Sequence, residues 1–237
     1  MSVITIVQTP AQAISSTNPS VFTFGQVPTA GNILVSVGMA DTAGKISISD
    51  TIGDSGGAKT NWAIAGSLSD VVTGALGYYY SMWWRVVGNS PTGKVIHTVN
   101  WDGASQEIDA GEFNSTDSGI WQVDGIPVSA SAAAGTNPSA GNITTTGHSF
   151  IYCRHTTFAG GTPTAGAGFT REFTGAPGGF RESMEYGEFD SVANQACNWT
   201  EALTDYLVMA SAFNKQGGFT AVNRRSLGPR VGSRSYY

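Results

Sequence analysis

Short runs of β-forming residues, separated by glycine, proline, asparagine and aspartate, follow one another along almost the whole chain. This alternation constrains the fold more than any other feature, because no stretch of about 11 residues carries the apolar stripe at 3.6-residue spacing that a packed helix needs. The runs predict strands that recur about every 10–18 residues, which is typical of a β-sandwich. We therefore expect an all-β protein.

Three of the predicted strands indicate which faces they bury. Residues 33–38 are apolar almost throughout, as in a central strand covered on both faces. Residues 95–101 predict a half-buried strand, with Val95, His97, Val99 and Trp101 on one face and Ile96, Thr98 and Asn100 on the other. Residues 78–84 contain five aromatic side chains, so both faces of this strand are aromatic. One face is expected to line the core, and the other to meet a partner or to lie under a loop.

The composition fits a neutral β-protein with many turns. Charged residues make up 12% of the 237 residues, which is well below the usual share, whereas glycine accounts for 31 residues. Apolar residues reach 41%, which excludes a disordered chain. A chain of this length can form one large all-β domain or two small ones. We expect a single sandwich over residues 1–213, in which the small-residue stretch 130–141 is a long loop.

The end of the chain differs from the rest in charge. Residues 214–237 contain five of the twelve basic residues and none of the seventeen acidic ones, so the body carries a formal charge of −10 and the tail +5. Strand patterning also stops there, which predicts a basic, extended C-terminal arm. Apolar residues between the arginines favour an arm that orders on a partner protein over a disordered end or a nucleic-acid contact. The predicted docking residues are Lys215, Phe219, Arg224, Arg225, Leu227, Arg230, Arg234, Tyr236 and Tyr237.

Neither a secretion signal nor a membrane span is expected. Residues 1–7 are apolar but lack the basic segment that begins a signal peptide. No run reaches the roughly 18 apolar residues of a membrane-spanning helix. The two cysteines, Cys153 and Cys197, are expected either to be buried as small apolar side chains or to form one disulfide.

Metal-binding patterns are incomplete. Cys153 and His155 lie two residues apart and could supply half of a zinc site, but no second pair at a short spacing accompanies them. Residues 50–57 combine aspartate and glycine as calcium-binding loops do, without the EF-hand pattern. We therefore expect neither a metal nor a cofactor.

Catalytic patterns are also incomplete. The sequence contains no Gly-x-Ser-x-Gly motif before a helix, which would mark a nucleophilic serine. Glycosidases need two carboxylates on one face. The candidate pairs are Glu107 with Asp109 and Glu188 with Asp190, whereas Glu182 and Glu185 lie on opposite faces of their strand. We expect no enzymatic activity.

Aromatic side chains on the surface could form a platform for sugar rings or an interface with a partner. The candidates are Trp62, Tyr79, Trp83 and Trp121. Aromatic residues on strands also serve as core residues, so each candidate has a structural alternative.

Several segments together resemble the jelly-roll β-sandwich, of the concanavalin-like or carbohydrate-binding kind, that occurs in phage structural proteins and bacterial secreted proteins. The resemblance covers roughly residues 3–213. It rests on residues 22–37, 49–54 and 61–65, on the aromatic strand, on Gly-Glu-Phe at 111–113 and 187–189, and on residues 207–213. The two Gly-Glu-Phe sequences are either a coincidence or equivalent strand ends in the two sheets.

The resemblance implies a non-enzymatic virion component, such as a surface decoration protein or a fibre subunit. Such a protein would be made in the host cytoplasm and would reach the virion surface by assembly. Its partners would be other copies of itself, for example in a trimer, and other virion proteins, with neither nucleic acid nor a membrane among them. The alternatives on the same fold are a carbohydrate-binding module or adhesin and, third, a glycan hydrolase. The resemblance assigns no functional residue.

Overall fold

The computed structural model describes residues 3–15, 19–40, 46–55, 62–69, 79–100, 106–157, 162–175, 181–190, 194–202 and 204–216. All regular structure in these residues is β-strand, which confirms the predicted all-β class. Within these ranges, no helix could cross a membrane. The strands are β1 (Ile4–Ser15), β2 (Ser20–Thr23), β3 (Ile33–Ala40), β4 (Ile46–Asp50), β5 (Ala63–Ser69), β6 (Tyr79–Val86), β7 (Val95–Asn100), β8 (Gln106–Ser115), β9 (Ile120–Gly135), β10 (Ser139–Thr144), β11 (Ser149–Thr157), β12 (Thr170–Gly175), β13 (Arg181–Phe189), β14 (Asn194–Asn198) and β15 (Thr204–Gln216).

The strands form two units with the same nested pairing. In the N-terminal unit, β1 to β8, the first strand pairs with the last, the second with the seventh and the third with the sixth. In the C-terminal unit, β9 to β15, the pairs β9–β15, β10–β14 and β11–β13 repeat this nesting. A hairpin ribbon wrapped in this way is a jelly roll. The predicted jelly-roll-like sandwich is therefore confirmed, and it occurs twice.

Each unit contains one five-stranded antiparallel sheet and one smaller outer sheet. The large sheets have the strand orders β1-β8-β3-β6-β5 and β9-β15-β11-β13-β12. The outer sheets are β2-β7-β4 and β10-β14. Among the residues that the structure describes, the C-terminal unit has no full strand equivalent to β4, and the connection from β11 to β12 contributes one antiparallel bridge there, between Thr164 and Thr200.

Irregularities in the two large sheets fall at equivalent places. The register between β5 and β6 shifts between Ile64 and Gly66, where Gly66 pairs with Met82. The register between β12 and β13 shifts between Arg171 and Phe173, where Phe173 pairs with Met184. A bulge bends and twists the strand that contains it. The two units therefore share this register shift as well as their strand order.

The two Gly-Glu-Phe sequences do not mark equivalent strand ends, so that alternative is wrong. Residues 111–113 lie on β8, the last strand of its unit, whereas residues 187–189 lie on β13, the counterpart of β6. The residues that do correspond are the Ser-Met pairs at 81–82 and 183–184. Met82 pairs with Val37 on β3, and Met184 pairs with Arg154 on the corresponding strand β11.

The large sheets face each other, and their side chains form one continuous central core. Phe150 of the C-terminal unit stacks on Phe113 of the N-terminal unit, with 4.6 Å between ring centroids. Phe150 also stacks on Phe213 at 5.3 Å. All three rings are fully buried. The shared core couples the two jelly-roll units into one body.

Each outer sheet covers the other face of its large sheet with a second apolar layer. Leu34 and Ile96 lie in this layer in the N-terminal unit, and Ile151 and Val208 lie in it in the C-terminal unit. Strands β3 and β11 are consequently buried at every position. This confirms the prediction that residues 33–38 form a strand covered on both faces.

Two boundaries differ from the predicted ones. Residues 130–141, expected to be a loop, belong mostly to the end of β9 and the start of β10. This part of β9 is rich in alanine and serine and has little β propensity of its own, but pairing with β15 holds it extended. Strand β15 continues to Gln216, which pairs with Ile120, so the sandwich extends beyond residue 213. The rest of the predicted arm, residues 217–237, lies outside the described residues.

Candidate functional site

A surface cavity of about 490 Å³ lies on the N-terminal unit, beside the outer sheet β2-β7-β4. The end of β4 and the turn that follows it form one wall, and strand β6 contributes the residue at its base. The lining residues are Ile48, Ser49, Asp50, Gly53, Asp54, Trp62 and Arg85.

Arg85 holds the cavity together. Its guanidinium is 3% exposed and pairs with both Asp50 and Asp54, each through a different terminal nitrogen. Asp54 also accepts a hydrogen bond from the backbone N–H of Gly88. One cation thus faces two carboxylates, and charge-assisted bonds of this kind are among the stronger ones in proteins.

The turn after β4 brings both carboxylates to Arg85. Asp50 caps the end of the strand by accepting the backbone N–H of Ile52 at 2.9 Å. Gly53 has a φ of 66°, a left-handed conformation that glycine adopts readily. A Cβ there would also lie 2.8 Å from the Thr92 hydroxyl oxygen. In residues 50–55, the described part of the segment that resembles a calcium loop in composition, Asp50 and Asp54 face the guanidinium of Arg85.

Trp62 forms the aromatic wall of the cavity. Its indole Nε1–H donates a 2.6 Å hydrogen bond to Asp50 Oδ2, which fixes the orientation of the ring. The side chain is half-buried, so part of it remains open to solvent. A fixed indole beside carboxylate and guanidinium groups offers both an apolar face and polar partners to a ligand. The sequence identified Trp62 and residues 50–57 separately but missed Arg85.

The other predicted aromatic residues lie elsewhere. Tyr79 and Trp83 are both half-buried on β6, and neither lines the cavity. Trp121 is 1% exposed in the central core, where its Nε1–H donates to the backbone oxygen of Gly31 at 3.2 Å. The prediction that Trp121 is available to a glycan or a partner is therefore wrong, because this indole packs between the two large sheets.

Lys215 belongs to the body rather than to the arm. It lies on β15, where its ammonium group donates to the backbone oxygen of Ser115 at 3.0 Å. The same group sits 5.2 Å from the centroid of the Trp121 ring, a cation–π distance. The prediction that Lys215 is a docking residue is therefore corrected, since these contacts already engage its ammonium group. The other predicted docking residues lie outside the described residues: Phe219, Arg224, Arg225, Leu227, Arg230, Arg234, Tyr236 and Tyr237.

The first of the two predicted carboxylate pairs is closed off. Asp109 is 1% exposed and contacts Arg154 and Tyr152 of the opposite sheet. Burial raises the pKa of Asp109, although the charge of Arg154 and the hydrogen bond from Tyr152 oppose the rise. Asp109 therefore cannot meet a substrate. The side chain of its predicted partner, Glu107, lies outside the described residues, as does that of Glu182.

The second carboxylate pair lies on the surface beside a histidine. The Nε2 atom of His148 is 2.8 Å from Glu188 Oε1 and 3.7 Å from Asp190 Oδ1, while its Nδ1 atom contacts Asp117. Burial disfavours the charged imidazole, but hydrogen bonds with Asp117 and Glu188 outweigh this effect and raise the pKa of His148. The sequence paired Glu188 with Asp190 but did not connect them with His148.

The two cysteines are free thiols, and both are buried in the apolar layer between β11, which carries Cys153, and β14, which carries Cys197. Burial and the neighbouring Cys197 raise the pKa of Cys153 well above its usual value, so its thiol is not activated for nucleophilic attack. Of the two alternatives, burial as small apolar side chains is confirmed. His155 is held by Glu201, with 3.2 Å between Nε2 and Oε2, and stacks on Trp199. These two contacts engage the imidazole within the C-terminal unit.

Glu185 is a buried acid in the same unit. The backbone N–H of Gly166 donates to its Oε2 at 3.0 Å, while Oε1 has no hydrogen-bond partner among the described residues. Burial raises the pKa of Glu185 to about 8, although the hydrogen bond from Gly166 opposes this shift. Glu185 is therefore protonated at neutral pH and is shielded from any external substrate.

Comparison of the chain with models of protein families, with curated proteins and with solved structures gives no match.

Proposed function

We propose that this protein is a non-enzymatic structural subunit of a phage virion, a surface decoration protein or a fibre subunit that docks through residues 217–237. The observation that carries the proposal is the way in which β15 leads into this segment. Gln216 pairs with Ile120 and donates a side-chain hydrogen bond to Thr146 at 3.3 Å. Lys215 is fixed on Ser115. The basic segment therefore begins at a fixed point on a large β body.

Charge supports a protein partner for this segment. Once Lys215 is counted with the body, residues 1–216 carry a formal charge of −9 and residues 217–237 carry +4. The charges of the tail come from four arginines, whose forked guanidinium groups suit bidentate contacts with carboxylates. Another copy of the acidic body, or an acidic shell protein, would offer such groups. We propose that copies of the chain associate with each other, for example as a trimer, on the surface of the particle.

The test is the composition of purified particles. Particles released by the cells that carry the encoding genome are banded on a density gradient, and their proteins are identified by mass spectrometry. We expect the chain to band with the particles. Replacing Arg224, Arg225, Arg230 and Arg234 by Gln should lower its copy number at least tenfold. Absence of the wild-type chain from every particle band would contradict the virion role.

The cavity favours a second function, the binding of a saccharide on the particle surface. Its volume of about 490 Å³ falls within the range of roughly 300–1,000 Å³ that is typical of small-molecule sites. The Trp62 ring supplies an apolar face for the C–H groups of a sugar, and the carboxylates held by Arg85 can accept hydrogen bonds from its hydroxyls. The protein would then contribute to host attachment as an adhesin.

A glycan array probed with the full-length protein tests this second function. Trp62→Ala should abolish any signal, whereas Tyr79→Ala should preserve it, because Tyr79 is also half-buried but lies outside the cavity. A signal that survives Trp62→Ala unchanged would place saccharide binding elsewhere. If the wild-type protein gives no signal, the structural function stands without host attachment.

A further inference from the structure

We propose that His148, Glu188 and Asp190 form a binding site for a divalent transition-metal ion of the zinc type. The three residues come from two places in the C-terminal unit. His148 immediately precedes β11, Glu188 lies near the end of β13, and Asp190 follows that strand. The pairing of β11 with β13 brings the two ends together.

The donor atoms have the spacing of a metal site. One ring nitrogen of His148 and one carboxylate oxygen each from Glu188 and Asp190 lie within 4.8 Å of one another. Two of the separations are 2.8 Å and 3.7 Å, measured from His148 Nε2. Around a tetrahedral ion with bonds of about 2.0–2.2 Å, donor atoms are roughly 3.3–3.6 Å apart. The observed separations bracket this range, so small rotations of the side chains suffice.

Asp117 occupies the position of a supporting residue. It contacts Nδ1 of His148, the ring nitrogen on the side away from Glu188 and Asp190. A carboxylate behind a metal-binding histidine holds the proton on the rear nitrogen and leaves the front nitrogen free to bind the ion. Glu188 is anchored as well, since its Oε1 accepts the backbone N–H of Ile4 at 2.7 Å. Two of the three ligands are therefore oriented in advance.

The donor set indicates the class of ion. One imidazole nitrogen with two carboxylate oxygens suits Zn²⁺ and its neighbours in the first transition series, whereas Ca²⁺ and Mg²⁺ prefer oxygen alone. Asp190 is 73% exposed, so water can reach the remaining coordination position. Three carboxylates surround a single histidine, and a divalent cation would offset their mutual repulsion. The sequence predicts no metal because His148 and Glu188 are 40 residues apart.

The test is calorimetric titration of the full-length, tag-free chain with zinc sulfate after treatment with a chelator. We expect saturable binding of one ion per chain. His148→Ala and Asp190→Asn should each weaken binding at least tenfold, and Asp117→Asn should weaken it roughly 10–100-fold through the supporting contact. Glu172→Gln removes a carboxylate from β12, outside the cluster, and should leave the affinity unchanged. Calcium chloride at the same concentration should not bind.

Two results would overturn the proposal. One is a wild-type chain that shows no saturable zinc binding. The other is an affinity that Asp190→Asn leaves unaltered, since Asp190 is largely exposed and its replacement does not threaten the fold. Substitution of Co²⁺ gives a further check, because a nitrogen-containing tetrahedral site gives visible absorption bands that should disappear in His148→Ala.

Discussion

Tyr152 donates a 2.6 Å hydrogen bond to Asp109 across the interface between the two jelly-roll units. Tyr152 lies on β11 and Asp109 on β8, and Arg154 on β11 completes the group with its Nε atom 2.7 Å from the Asp109 carboxylate. All three side chains are no more than 1% exposed. A polar group of this kind inside an apolar core is satisfied only when the two large sheets are in one register. It therefore specifies how the units face each other.

Replacing Asp109 by Ala should destabilise the protein strongly. The guanidinium of Arg154 would remain buried without its carboxylate, and breaking a buried ion pair on one side costs about 3–5 kcal/mol. Tyr152→Phe should cost less, about 1–2 kcal/mol, because it removes one hydrogen bond. Chemical denaturation gives both values. Tyr79→Phe, at a half-buried tyrosine on β6, is the control, and equal losses for Tyr152→Phe and the control would contradict the assigned interface.

Replacing Arg85 by Met should open the turn at residues 51–54. Asp50 and Asp54 are 9% and 5% exposed, and without Arg85 they would face each other with no cation. We expect a loss of about 3–5 kcal/mol in the free energy of unfolding, together with faster amide exchange in the turn. Arg171→Met, at an exposed position on β12, should cost less than about 1 kcal/mol. An unchanged exchange rate at residues 51–54 would show that Arg85 does not hold the turn.

The stability of the protein should fall as the pH rises from about 4.5 to 8 because of Glu185. Its pKa is raised from 4.5 to about 8 in the folded state, so across this interval the folded chain binds a proton that the unfolded chain releases. The stabilisation is complete below pH 4.5 and is lost as the pH passes the folded pKa. Glu185→Gln should reduce this pH dependence, whereas Asp205→Asn should preserve it. Denaturant midpoints measured at several pH values decide between the two outcomes.

The thiols of Cys153 and Cys197 should not react with a thiol reagent in the native protein. Both are buried, and the pKa of Cys153 is raised by burial and by the neighbouring Cys197. Two thiols per chain should be titrated only after denaturation. Rapid reaction of either cysteine in the native state would contradict the packing of the outer sheet β10-β14 over β11.

The hydrophobic pattern predicted the fold class but not the duplication. Residues 33–38 predict a strand that is covered on both faces, because the side chains on both faces are apolar. The equivalent strand β11 includes Arg154 and His155 among its buried residues, so its sequence does not indicate that both of its faces are covered. The shared topology is a matter of strand order and register, which depend on pairing between distant residues and are therefore not visible in local sequence patterns.

The candidate sites were predicted in parts for the same reason. Trp62 and the turn after β4 were recognisable from residue type, whereas Arg85 lies within an aromatic strand and becomes important only when that strand passes beneath the turn. Lys215 was assigned to the arm from charge alone, although its ammonium group contacts the Trp121 ring and the backbone oxygen of Ser115. The type of a residue indicates which interactions its side chain can make, but the residues that it contacts depend on the register of the sheets.

The most direct test of the proposed function is a competition between two forms of the chain. The full-length protein and a form that ends at Gln216 are produced together in cells that make the particles, and their ratio is measured by mass spectrometry in the particle band and in the soluble fraction. The shorter form retains every strand described and should remain folded in the soluble fraction. We expect the particles to contain the full-length form at least tenfold in excess. Equal amounts of the two forms in the particles would show that residues 217–237 do not dock the protein.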